Sequence, residues 1–141
     1  MDAENQKNFP IQWGGYYAIP TQEDRFKVFR LLDFTVHAQH NALYRELFEA
    51  IPTLEEIKAL KPFIGHAPLS AKDLYHNNAT LIGADPLQKE DLQGYGIYLD
   101  SCGCTQEYID KLFTDLLHNS RLGPLMVQLH IADDQLQITR I

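Results

Sequence analysis

The chain has 141 residues with 12 basic and 19 acidic side chains, which gives a formal net charge of −7. This length corresponds to about one domain, and a body of this size buries about 70% of its unfolded surface, enough for a core. The hydrophobic share of 45% is ordinary for a globular protein. The excess of acid argues against binding to a nucleic-acid backbone, which needs clustered Lys and Arg.

The N-terminus and the cysteines bear on where the protein works. The first residues are polar, and no run of about 18 apolar residues indicates a membrane span. We therefore expect a cytoplasmic protein that does not bind membranes. Cys102 and Cys104 are separated by one glycine, a spacing that forms a disulfide only with strain, so free thiols are expected.

The first third of the chain predicts strands. Residues 1–12 are polar and contain a proline, which predicts a flexible arm before a single α+β domain over residues 13–141. The runs 13–19 and 26–32 are rich in aromatic and β-branched residues and predict an antiparallel hairpin. The segment 36–48 fits a helix or a third strand; the strand is favoured, because two strands alone make a poor sheet.

The middle of the chain carries a clear helix start. Thr53 and Glu56 form a capping-box pattern that predicts a short helix over 53–61. Residues 62–79 contain several Pro, Gly and Asn residues and are expected to be irregular. Residues 80–83 predict a short buried strand.

Two helices and a hairpin are predicted for the last part of the chain. Asp85, Pro86 and Gln88 favour a helix over 85–101, although Tyr95, Ile97 and Leu99 also fit a strand. Thr105 is the expected cap of a second helix over 105–120, which completes an αα-hairpin near 85–120. The alternating runs 125–131 and 136–141 predict a C-terminal β-hairpin. The predicted class is α+β, with a mainly antiparallel sheet and helices on one face.

Histidines and cysteines are the candidate chemical groups of a polar pocket or metal site. This set comprises His37, His40, His66, His76, Cys102 and Cys104. His37 and His40 would share one side of a helix but opposite faces of a strand. No spacing in the set matches a zinc motif, so no metal and no cofactor are predicted. Cys104 would be the more reactive thiol, because it lies just before a helix N-terminus.

Aromatic residues supply a candidate partner-binding surface. Trp13, Tyr16 and Tyr17 are amphipathic side chains of the kind that anchor interfaces, and the turn acids Asp133 and Asp134 are added to this set. Strand alternation places Tyr16 and Tyr17 on opposite faces, so at least one of them is expected outside the core.

Two functional hypotheses follow from these features. The leading one is a non-enzymatic, acidic protein-binding module, such as an inhibitor or immunity-type protein that covers a basic partner. The alternative is a small enzyme or ligand-binding protein that uses histidines in a pocket between sheet and helices. Homodimerisation through the edge of the terminal hairpin is a further expectation, since an unpaired strand permits it.

Overall fold

Two antiparallel sheets organise the part of the chain that the computed structural model describes, residues 6–141. In chain order the elements are β1 (Gln6–Ile11), β2 (Gly15–Pro20), β3 (Phe26–Phe34), β4 (Ala38–Leu43), α1 (Leu54–Lys58), β5 (Ile64–Ser70), α2 (Lys72–His76), β6 (Thr80–Ala84), a 3₁₀ turn (Lys89–Leu92), α3 (Gln93–Ser101), α4 (Gln106–Asn119), β7 (Leu125–Ala132) and β8 (Gln135–Arg140). The strand orders are β5-β4-β3-β2-β6 in one sheet and β1-β7-β8 in the other. The predicted α+β class is confirmed.

The five-stranded sheet is covered on both faces. On one face, Phe29 and Leu31 of β3 pack in a core with β1 and β7, through residues such as Phe9 and Val127. On the opposite face, Leu32 packs against α3 and α4. Because successive strand residues point to opposite faces, β3 serves two cores at once and reads as an almost continuous apolar run.

Several local predictions are confirmed. β2 and β3 form the predicted antiparallel hairpin, and β7 and β8 form the C-terminal one. The 36–48 segment contains strand β4 rather than a helix. Thr53 and Glu56 make the reciprocal capping box of α1, and the Thr105 side chain caps α4. The residues that specify these elements lie close together in sequence, so the elements can be predicted without knowledge of the fold.

The predicted flexible arm over 1–12 is wrong for residues 6–11. These residues form β1, which pairs with β7 along its whole length. Phe9 and Ile11 lie on one face of β1 and are 5% and 2% exposed, so burial of this apolar face stabilises the strand. Residues 1–5 lie outside the described residues.

The prediction of irregular structure over 62–79 is also wrong. β5 pairs with β4 in this segment, and the short helix α2 follows it. Pro68 is compatible with β5 because β5 is an edge strand, where a missing N–H need not interrupt the sheet.

The helix predicted over 85–101 begins later than expected. Gln88 and Asp91 make the capping interactions of the 3₁₀ turn, and α3 starts at Gln93. Asp85 and Pro86 instead form the loop that precedes the turn, and the strand alternative for 95–99 is wrong. α3 packs on α4, as the predicted αα-hairpin requires. No helix within residues 6–141 has the length and apolar content that crossing a membrane requires.

Candidate functional site

A cleft of about 400 Å³ lies between the five-stranded sheet and the helical side of the molecule. Tyr16 and Arg30 reach it from the sheet, and Lys58 and Asp91 reach it from α1 and the 3₁₀ turn. We call this space the sheet–helix cleft. Its further lining residues include Leu32, Ala42, Tyr44, Leu60, Pro62, Gly65, Asp85, Gln88, Glu90, Gln93 and Gly94.

Arg30 is the central residue of the cleft floor. The residue is only 5% exposed, and its guanidinium carbon lies 4.8 Å from the centre of the Tyr16 ring. Nε donates to the Gly14 carbonyl at 3.2 Å, and Nη2 donates to the Asp85 carbonyl at 2.8 Å. Nη1 lies 3.2 Å from Oδ1 of Asp91 in an ion pair. Every nitrogen of the guanidinium therefore has an acceptor, as a buried charge requires.

Gly14 positions the two backbone carbonyls that accept hydrogen bonds from Arg30. Its φ is +78°, a left-handed conformation that favours glycine, and its N–H donates to the Leu31 carbonyl at 2.7 Å. A Cβ at this position would lie 2.5 Å from the Asp85 carbonyl oxygen. The close approach lets the carbonyls of Gly14 and Asp85 converge on Arg30, which explains why a glycine follows Trp13.

Two tyrosines complete the polar floor. Burial raises the pKa of Tyr16, an effect that the nearby positive charge of Arg30 partly offsets. Burial also raises the pKa of Tyr44, and the neighbouring Tyr16 adds to that rise. Both phenols are therefore neutral at physiological pH and can donate or accept a hydrogen bond.

Two histidines and two tyrosines stack beside the cleft; we call His40, His66, Tyr95 and Tyr98 the histidine–tyrosine cluster. Nδ1 of His40 lies 2.9 Å from Nε2 of His66. The Tyr95 ring stacks on both imidazoles, with ring centres 4.5 Å and 4.8 Å away. The Tyr95 hydroxyl donates to Oδ2 of the buried Asp33 at 2.7 Å. This hydrogen bond fastens α3 to β3.

Local irregularities bring the cluster together. The pairing of β3 with β4 shifts between Leu31 and Asp33, and such a bulge redirects side chains. At the start of α3, a Cβ on Gly94 would lie 3.1 Å from the backbone of Gly65, a contact tighter than most, so glycine favours this close approach. The cluster adjoins the cleft, because the lining residues Leu32, Gly65 and Gly94 directly precede Asp33, His66 and Tyr95.

The two imidazoles are held in their neutral forms. Burial, reinforced by the adjacent His40, lowers the pKa of His66 to about 4. Burial likewise lowers the pKa of His40, while the Asp33 carboxylate opposes that shift. At neutral pH one imidazole donates its N–H to the unprotonated nitrogen of the other. If that accepting nitrogen were protonated as well, two N–H groups would face each other and the contact would become repulsive.

Acid is expected to destabilise the protein through His66. The folded pKa of about 4 lies below the ordinary value of 6.5, so the unfolded chain binds the proton first as the pH falls. The stability contributed by the neutral ring is therefore complete above about pH 6.5 and is lost between pH 6.5 and 4. Because the ring is partly solvated, we expect a loss of about 1–2 kcal/mol in the free energy of unfolding, measured by urea denaturation at several pH values.

A pair of glutamine variants separates this effect from the titration of carboxylates. His66→Gln should flatten the pH dependence between pH 6.5 and 4, whereas His118→Gln, at an exposed position of α4, should leave it unchanged. If the His66→Gln variant kept the pH profile of the unmodified protein, the neutral His40–His66 pair would not be the cause.

The sequence-predicted polar set does not converge at one point. His40 and His66 meet in the cluster, whereas His37 and His76 are exposed elsewhere on the surface. Cys102 and Cys104 are free cysteines near the end of α3, the first exposed and the second partly buried. In the part of the chain that the structure describes, no three His, Cys, Asp or Glu side chains are placed to hold a metal ion.

The predicted partner-binding residues do not form one surface either. Tyr16 and Tyr17 do lie on opposite faces of the sheet, but both are buried, at 4% and 0% exposure. The expectation that one lies outside the core is wrong, because the sheet is covered on both faces. Trp13 is half-buried between two cores, and Asp133 and Asp134 are exposed in the turn between β7 and β8.

No sequence motif points to Arg30, Asp33 or Tyr95. The available signal was a charged residue inside an apolar strand: Arg30 stands between Phe29 and Leu31, in a run that feeds two cores. A charge at such a position must have a buried partner. Its partners Gly14, Asp85 and Asp91 are far away in sequence, so no spacing rule reveals them.

Comparison with known proteins adds no relative: no family model, no curated protein and no solved structure matches this chain.

Proposed function

We propose that the protein is a ligand-binding protein, and that the sheet–helix cleft takes a small zwitterionic molecule such as an amino acid or a short peptide. The observation that carries the proposal is the pairing of opposite charges around the cleft. Arg30 and Asp91 form one pair at 3.2 Å, and Lys58 and Asp85 form another at 3.8 Å. The ligand-binding alternative inferred from sequence thus relies on these charges rather than on several histidines.

Lys58 and Asp85 can leave their mutual ion pair and bind the opposite charges of a ligand instead. The side chains of Lys58 and Asp85 are 37% and 43% exposed, so both ions remain partly hydrated. A ligand carboxylate would bind the ammonium of Lys58, and a ligand ammonium would bind the carboxylate of Asp85. Exposed ion pairs contribute little to stability, so opening this one costs the fold little.

The remaining walls suit the rest of such a ligand. The cleft volume of about 400 Å³ lies within the usual range for small-molecule sites. Tyr16 and Tyr44 offer neutral hydroxyls, and Leu60 and Pro62 offer apolar contact for a side chain. Because Arg30 is already held by the protein, the floor needs no rearrangement on binding, which favours affinity.

Thermal unfolding in the presence of L-amino acids and dipeptides tests the proposal. We expect at least one zwitterion to raise the Tm by about 5 °C or more at 100 times its Kd, since binding to the folded state stabilises it by mass action. The same compound with an acetylated amine and an amidated carboxyl should give no shift. Equal shifts from the free and blocked forms, or no shift from any zwitterion, would contradict the proposal.

A matched pair of lysine variants locates the effect. Lys58→Met should abolish the ligand-induced shift, because the cation for the ligand carboxylate is gone. Lys89→Met removes the same charge from an exposed position outside the cleft lining and should keep the shift.

A basic protein partner, of the kind an inhibitor or immunity-type protein covers, is the second candidate. It is favoured by the outer side of α4, where Glu107, Asp110 and Asp115 are all exposed. Under this candidate, rising salt slows association with the partner, whereas binding of a zwitterion in the cleft depends far less on salt.

A further inference from the structure

The second face of the five-stranded sheet carries a groove of about 450 Å³ that the three-stranded sheet leaves open. Its floor includes Ile19, Phe29 and Leu43, which belong to β2, β3 and β4. Phe29 and Arg30 are neighbours in β3 and therefore point to opposite faces, so this groove and the sheet–helix cleft are separate sites.

The wall of the groove exposes large apolar side chains. Phe63, Ile64 and Leu69, just before and within the edge strand β5, are 58%, 39% and 38% exposed. Together with the floor residues they form a continuous apolar lining rather than isolated surface residues. Contiguous exposed apolar surface of this kind marks a binding surface more often than singly exposed residues do.

The rim of the groove is positively charged, although the chain as a whole is acidic. Lys27 and Arg45 line the groove, and among residues 6–141 no Asp or Glu does. Within residues 6–141, neither cation takes part in an ion pair, and Arg45 instead lies 4.2 Å above the centre of the Phe63 ring. An apolar trough with two uncompensated cations is complementary to an apolar molecule with an anionic end.

The shortage of hydrogen-bonding groups decides between a peptide and a hydrocarbon chain. In the described part of the chain, the polar side chains that line the groove besides the two cations are Asn77 and the buried Tyr44. A peptide laid across this face would bury amide groups with few partners, which is unfavourable. A hydrocarbon chain has no such groups, and its burial against Leu43 and the exposed Phe63 and Ile64 side chains is favourable.

We propose that this groove binds a free single-chain fatty carboxylate. The carboxylate lies between Lys27 and Arg45, and the hydrocarbon chain runs over Leu43 toward Phe63 and Ile64. The proposal is independent of zwitterion binding in the sheet–helix cleft, because the two sites share no charged residue, although the buried Tyr44 lines both.

Isothermal titration with sodium dodecanoate below its micelle concentration tests the proposal on the full chain. We expect saturable binding of one molecule per chain, at least tenfold tighter than binding of the dodecylammonium cation, which has the same chain length and the opposite charge. A parallel arm uses vesicles of phosphatidylglycerol. Absence of saturable dodecanoate binding, equal affinity for both amphiphiles, or binding to the vesicles alone would overturn the proposal, the last outcome indicating a membrane surface instead.

Surface variants show whether the binding is at the groove. The double variant Lys27→Ala with Arg45→Ala should weaken dodecanoate binding at least tenfold, and Phe63→Ser should weaken it at a largely exposed position where the fold tolerates change. Ile97→Ser, 69% exposed on α3, is the matched control and should leave the affinity unchanged. Dodecanoate binding that survives both groove variants would likewise overturn the proposal.

Discussion

Replacement of Arg30 by methionine is expected to lower the free energy of unfolding by about 3 kcal/mol. The substitution keeps much of the side-chain volume but removes the guanidinium donor from the Gly14 and Asp85 carbonyls and from Oδ1 of Asp91. We place the loss at the lower end of the range for broken buried ion pairs, because the Asp91 side chain is 30% exposed and can be hydrated. Urea denaturation at pH 7 measures the change, with an unaltered m-value expected.

Lys58→Met is the matched control for Arg30→Met. It removes one positive charge from the same cleft, but its ion pairs with Glu55 and Asp85 are partly exposed and long, at 3.9 and 3.8 Å. The expected loss is therefore below about 1 kcal/mol. If both variants lost the same small amount, the buried contacts of Arg30 would not stabilise the junction between sheet and helices.

Replacement of Gly14 by alanine is expected to cost about 3–5 kcal/mol of unfolding free energy. About 1–2 kcal/mol arises from the left-handed backbone, with φ at +78°, and the rest from overpacking. The added Cβ would meet the Asp85 carbonyl oxygen at 2.5 Å, and that backbone atom cannot rotate away as a side chain would. The same displacement moves two acceptors of Arg30, so the variant should also lose ligand binding in the cleft.

Gly103→Ala separates the backbone effect from the clash at Gly14. Gly103 also has a positive φ, +88°, but a Cβ there would have no atom within 4 Å. We expect this variant to lose only about 1–2 kcal/mol, with the difference between the two alanine variants measured by urea denaturation under identical conditions. Equal losses would mean that the approach of Gly14 to Asp85 is not tight enough to matter.

The two proposed binding sites follow from one property of β3. Its alternating side chains serve a polar cleft on one face, through Arg30, and an apolar groove on the other, through Phe29. A sheet covered on both faces cannot display the polar–apolar alternation of a half-exposed strand. A polar residue within such an apolar strand, such as Arg30 in β3, therefore indicates where a candidate functional site lies.

Local signals predicted the elements whose causes lie within a few residues. The Thr53–Glu56 capping box, the Thr105 cap and the two hairpins all depend on neighbours in sequence. β1 and β5 were missed because their stability comes from distant partners. β1 pairs with β7, which lies more than 110 residues away; for example, Phe9 is opposite Val127. Residues 6–11 alone contain no pattern that predicts this pairing.

The candidate site was beyond local inference for the same reason. The sequence drew attention to His40 and His66 as residue types, but not to their contact, which needs β5 beside β4 and the close approach of α3 at Gly94. Tyr16 and Tyr17 show the converse error. Their placement on opposite faces of the sheet was predicted correctly. Both are buried because other elements pack on each face, which is a property of the whole fold.

The sequence by itself determined the α+β class, the caps of α1 and α4 and the two hairpins, because propensity, capping and alternation are short-range effects. The tertiary structure alone decided which charges meet. Arg30 is 16 residues from Gly14, 55 from Asp85 and 61 from Asp91, and the three converge on it only when β2, β3 and the loop before α3 are packed. Burial then makes their mutual pairing obligatory, since an unpaired charge in that position would not be tolerated.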